Sequence, residues 1–172
     1  MKKIVILAVL CLISYNSNAQ STDMFFAKAD AFFSAHVKNG RVGYSEIKKD
    51  TKDLNVILDL ANNIKVDKGN AKEYQAFWIN AYNLSVIKSV VENYPIKSPL
   101  DKAGFFDKTK HSLGGKSITL NDIENKLLRG NFPNEPRFHF VLVCAGLGCP
   151  PIINKAYTPS TLEMKLEKQT KK

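Results

Sequence analysis

Apolar residues recur at helical spacing along most of the chain. Thr22 or Asp23 can cap a first helix, with Phe25, Ala29, Phe32 and His36 on one side and Gly40 ending it. "TKDLNVILDLANN" gives a second, with Leu54, Ile57, Leu58 and Ala61 on one face. Asn70 and Glu73 make a capping-box-like start to the longest one. It runs through "YQAFWINAYNLSVIKSVVENY", and Pro95 marks its end. Thr119 caps "LNDIENKLLR", which Gly130 closes. Thr158, with Pro159 at the first helical position, opens a last helix.

Three segments read as extended. "VGYSEI" is short. "HSLGGKSITL" is a hairpin turning at Gly114-Gly115. "RFHFVLVC", residues 137–144, is the best strand, with both faces expected to be buried. Residues 95–110 form a polar loop, and "NFPNEP" is a turn. There are no repeats and no internal linker. The pattern predicts an α+β fold, with helices packed on a small sheet.

The first 19 residues change the picture. Lys2 and Lys3 precede an apolar run from Ile4 to Ile13, followed by Ser17-Asn18-Ala19. This is the plan of a signal peptide, and the run is too short to span a bilayer. The expectation is an exported protein, periplasmic or secreted, with one domain over residues 20–172 and no transmembrane segment after cleavage. The chain carries a net charge of +9, spread over scattered lysines with only three arginines. Nucleic-acid recognition favours arginine's planar fork, so no nucleic-acid partner is expected. The expected partner is a small molecule, a peptide or an envelope component.

Some polar residues interrupt apolar faces. Phe77, Leu84, Ile87 and Val91 form a stripe on the longest helix; Asn80 falls inside it and Asn83 beside it. A buried amide must be bonded. Asn80 either pins a loop or strand edge, or orients a catalytic group. Trp78 reads as core. Glu124 sits among Leu120, Ile123, Leu127 and Leu128. It either snorkels to the rim or pairs with a donor such as an imidazole. Alternation along 137–144 puts His139 with Val141 and Val143 in an apolar row.

"HFVLVCAGLGCPP" ends that run and holds the two cysteines left after cleavage, Cys144 and Cys149. They admit a local disulfide, which an oxidising compartment permits. They admit metal binding with His139, for which a fourth ligand is lacking; no metal and no cofactor is expected. They also admit a reactive thiol. Cys149 before Pro150-Pro151 suits the N-cap of a short turn, where a thiol pKa falls. Gly146 and Gly148 would then let backbone N–H groups approach an oxyanion.

"YQAFWINAYNLSVI", "ITLNDIENKLLR" and "RFHFVLVCAGLGCPPIINKAY" together resemble the domain of unknown function 547 family, over about residues 70–170. The resemblance implies an exported bacterial protein and brings no assigned activity. Matching positions are Trp78, Asn80, Tyr82, Asn83, Glu124, His139, Cys144, Cys149 and Pro150. Members often carry histidine where this chain has Asn125. They also usually continue into further extended segments, so the C-terminus at Lys172 is read as truncated.

Two functional expectations follow. One is a thiol-dependent hydrolase or acyl transferase, with Cys149 as nucleophile and His139 as base. Glu124 or Asn80 would orient the imidazole. Asn83, Trp78, Tyr82, Gly146 and Gly148 would support the site or bind substrate. A permuted papain-like or transglutaminase-like arrangement is the fold-level analogy for it. The other is a non-catalytic exported binding or structural module with a Cys144–Cys149 disulfide.

Overall fold

The longest helix has almost no polar face, so it must be covered on every side. In the computed structural model, which describes residues 20–146 and 148–171, it runs Ala71–Glu92, and every residue from Tyr74 to Ile87 is buried. The leader read at residues 1–19 lies outside the described residues. The covering helices are α1 (residues 20–36), α2 (Tyr44–Lys49) and α3 (Lys52–Asn63), with the long helix as α4. Phe25 of α1 meets Phe77 of α4 with ring centroids 5.1 Å apart. α3 buries the four residues its spacing predicts: Leu54, Ile57, Leu58 and Ala61.

Strands are few, and two separate antiparallel hairpins hold all of those found among the described residues. β1 (Val37–Lys38) pairs with β2 (Arg41–Val42) through Asn39 and Gly40, at φ 52° and 75°. Two left-handed residues in a two-residue loop suit the twist of a hairpin. β3 (Lys110–Leu113) pairs with β4 (Lys116–Thr119) through Gly114-Gly115, as the sequence predicts. The Gly114 and Gly115 N–H groups donate to Ala61 O and Asn62 O, so this turn satisfies carbonyls at the end of α3. The architecture is α+β. The single small sheet expected beneath the helices is replaced by these two hairpins.

Thr119 caps the next helix, accepting from the Asp122 N–H at 3.1 Å. That helix is α5 (Leu120–Asp122), and it continues as a π-helix over Ile123–Arg129.

Four sequence expectations are corrected. Residues 137–144 are not a strand: Pro136–Phe140 is a 3-10 helix and Val141–Cys144 is irregular. Phe138, Val141, Leu142 and Val143 are buried while His139 and Phe140 are exposed. Two exposed residues followed by three buried ones do not alternate as a strand would, and the continuous apolar run disguised this. The permuted papain-like or transglutaminase-like arrangement needed His139 on a strand, and the described residues there provide none. In "VGYSEI", Val42 ends β2 and Tyr44 begins α2, because Gly43 O accepts from Glu46 and Ile47 and starts the helix. The last helix, α6, is Leu162–Gln169. It starts later than Thr158-Pro159, since the Thr158 and Thr161 hydroxyls first tie a turn between them.

Candidate functional site

Two asparagines on one side of α4 anchor the cysteine loop. Asn80 donates to Tyr157 O at 2.6 Å and accepts from the Tyr157 N–H at 3.0 Å, with a second donation to Ala76 O. Asn83 donates to Val141 O and accepts from the Val143 N–H, both at 3.0 Å. Each side-chain amide thus imitates the peptide group of a neighbouring strand. Both are buried, with bonds at both ends of the amide. These bonds are those that the pinning reading of Asn80 expects. The chain between Val143 and Tyr157 is thereby clamped on α4 at both ends.

Cys144 and Cys149 are joined in a disulfide within that clamped stretch, with Cα atoms 5.9 Å apart. The Cys149 N–H donates to Gly146 O at 3.1 Å. A Cβ on Gly146 would lie 3.4 Å from the Cys144 sulfur and 3.6 Å from that of Cys149, so this glycine lies against the bridge. Gly148 is exposed, with open space around it. No helix follows Pro150-Pro151, so the expected helix-start setting of Cys149 does not form.

The remaining predicted residues lie elsewhere. His139 is exposed and meets Phe140 edge to face, with ring centroids 5.3 Å apart. Among the described residues it makes no hydrogen bond to Cys149, Glu124 or Asn80. Its 3-10 segment is held by Arg137, which pairs with both Glu135 and Glu163 of α6. The Arg137 guanidinium holds the Glu135 carboxyl below its usual range.

Glu124 finds a donor, but it is Arg129 rather than an imidazole. Arg129 Nε and Nη2 both lie 3.1 Å from Glu124 Oε1. The π-helix brings these residues, five apart, together on one face. Tyr82 is buried close to this pair. Burial pushes its phenol well above the ordinary range, Glu124 adds to the rise, and Arg129 opposes it. Trp78 packs in the core beneath the β3–β4 turn, where a Cβ on Gly114 would come 2.9 Å from its ring.

Beside the disulfide lies a cleft of about 510 Å³. The β1–β2 hairpin and its continuation supply one wall, with Arg41 and Tyr44. The other has Val143, Gly146, Cys149 and Pro150. Burial pushes the Tyr44 phenol up to about 12, so it stays protonated at neutral pH. Of the predicted residues, Gly146 and Cys149 meet in this cleft; Asn83 supports one wall through Val143. Sequence reasoning missed Arg41 and Tyr44. The available signal is Asn39-Gly40, a strong two-residue hairpin motif, of which the sequence reading takes only Gly40, as a helix stop.

These features define an α+β domain that displays a disulfide-closed, asparagine-clamped loop at the edge of a cleft. The profile of the family described as "Protein of unknown function, DUF547" matches residues 66–172, more than half of the chain, and the chain belongs to that family. No curated protein and no solved structure matches it. Among the described residues no helix is long and apolar enough to cross a membrane, and no three His, Cys, Asp or Glu side chains cluster as a metal site requires.

Proposed function

We propose that this chain is an exported, non-catalytic binding module in which the cleft beside the Cys144–Cys149 bridge receives a small molecule or a peptide segment. The observation that carries this reading is that the members of the alternative catalytic set are not brought together. Cys149 is bonded to Cys144, Asn80 to Tyr157, and Glu124 to Arg129, while His139 stands on the surface. A nucleophile and its base need mutual hydrogen-bond reach; here the sulfur, the amide and the carboxylate have other partners, and the imidazole bonds to none of them. The cleft's volume falls in the range of ligand sites. A persistent disulfide fits the oxidising compartment to which the N-terminal segment would direct the chain.

One observation favours a second reading, a thiol-dependent hydrolase active only when reduced. Cys149 lines the cleft, so breaking the bridge would free a sulfur there. An external dithiol would be oxidised as the two cysteines became thiols. The Cys149 thiolate would add to an acyl carbonyl, expel the alcohol, and be regenerated by water.

The deciding experiment titrates free thiols on the exported protein, then assays p-nitrophenyl acetate hydrolysis with and without dithiothreitol. The binding module predicts no titratable thiol and no hydrolysis above the Cys149→Ser variant in either condition. A reduction-dependent, Cys149-dependent burst of nitrophenol would replace it with the hydrolase.

A further inference from the structure

A second cavity, of about 570 Å³, lies across the β1–β2 turn from the disulfide cleft. The two are divided where Gly40 meets Pro151; a Cβ on Gly40 would come 2.8 Å from the Pro151 Cβ. The cavity's chemistry differs from the cleft's. Its charged lining residues are Lys155, Lys165 and Lys168, with no carboxylate among them. The nearby acid is Asp30, which is already engaged. Its two oxygens take Lys155 Nζ at 3.0 Å and the Ala156 N–H at 2.9 Å. Lys165 Nζ donates to Ala156 O and has no carboxylate partner. Lys168 has no ion-pair partner among the described residues. Of the three ammonium groups that line the cavity, only Lys155 has a carboxylate partner among the described residues.

The other lining residues are largely apolar. Ile152 is buried, Ile153 half-buried, and Met164 is 61 % exposed. Gln169 braces this wall by donating from Nε2 to Pro151 O at 3.0 Å. Burial lowers the Lys165 pKa, with Lys155 adding to the fall and Asp30 opposing it. An anion arriving here would offset both the burial and the mutual repulsion of the lysines. An apolar body attached to it would cover Met164 and Ile153.

We propose that this cavity binds an organic anion with an apolar tail, its carboxylate or phosphate head among Lys155, Lys165 and Lys168 and its tail on Ile153 and Met164. The site adjoins the disulfide cleft, with Asn39, Gly40, Pro151 and Ile152 as their common wall, and it differs from it in its lysine lining.

The test is a titration of the disulfide-bonded protein, isotope-labelled at backbone amides and at isoleucine and methionine methyls, with octanoate and with octyl phosphate. The expected result is saturable movement of the Met164 and Ile153 signals with at least one of them, the tighter ligand naming the preferred head. Lys168→Glu, on an exposed side chain without a partner, is expected to weaken binding at least about tenfold, since reversing a charge facing a charged ligand has effects of this order. Met164→Gln is expected to weaken it with the lysines intact. Equal movement with octan-1-ol or octylammonium would overturn the proposal, as would unchanged affinity in Lys168→Glu. Shifts confined to the neighbourhood of Tyr44 and Ala145 would assign the ligand to the disulfide cleft and also overturn it.

Discussion

At the scale of single residues, the structure turns on two amides. A buried asparagine that bonds a backbone N–H and C=O of the same segment acts as a strand one residue long. Removing it orphans both backbone groups in a dry interior. Asn80→Leu and Asn83→Leu are each expected to lower unfolding free energy by about 2–6 kcal/mol, taking about 1–3 kcal/mol for each of the two buried groups left unpaired. Urea denaturation followed by circular dichroism measures this. A loss near zero would mean that water or neighbouring groups replace the amide. The sequence showed that these two positions break the apolar pattern and must be bonded. It could not show the partners: Tyr157 lies 77 residues from Asn80, and Val141 58 from Asn83. Cys149 was legible as chemistry and ambiguous as state, because disulfide and thiol share one spacing.

At the scale of elements, legibility followed local determinism. The β3–β4 hairpin was readable because Gly-Gly leaves few other turns, and α3 because four apolar positions set its face. Residues 137–144 were misread because a nearly continuous apolar run carries no period of its own. The π-helix was invisible, since nothing in "IENKLLR" distinguishes a five-residue from a four-residue ladder. The β3–β4 hairpin also sets a pH dependence. His111, on β3, is partly buried and its Nε2 has no partner. Burial lowers its pKa from the ordinary 6.5, with Lys88 adding to the fall and Glu92 opposing it. The unfolded chain therefore binds this proton more readily than the folded one. Its contribution is fully present above about pH 6.5, and stability falls as the pH drops through the window below that. Melting temperature between pH 7.5 and 5.5 is expected to decline in the parent chain and to decline less in His111→Gln. Parallel curves would place the sensitivity elsewhere.

At the scale of the molecule, α4 is the common support. α2, α3, α5 and the π-helix contact it directly, and its asparagines hold the chain on both sides of the cysteine loop. The bridge itself closes a short loop, so it contributes only about 2 kcal/mol in the chain-entropy account. Reduction would thus act mainly on the wall of the cleft, leaving the core in place. The α+β class was legible from the sequence because helical patterning is local. The cleft was not, since it forms between a hairpin near residue 40 and a loop near residue 146 whose meeting no local pattern encodes.

The asparagine clamps also make two backbone amides into gauges of how firmly the outer chain is seated. The Val143 and Tyr157 protons can exchange with solvent deuterium only after leaving acceptors carried by α4. Their exchange should be slow and matched, governed by one shared opening of the segment from the helix. The Cys149 proton, held only by Gly146 O within its own loop, should exchange much faster. Unequal rates at Val143 and Tyr157 would show that the two clamps release separately, and that the chain between them peels from one end.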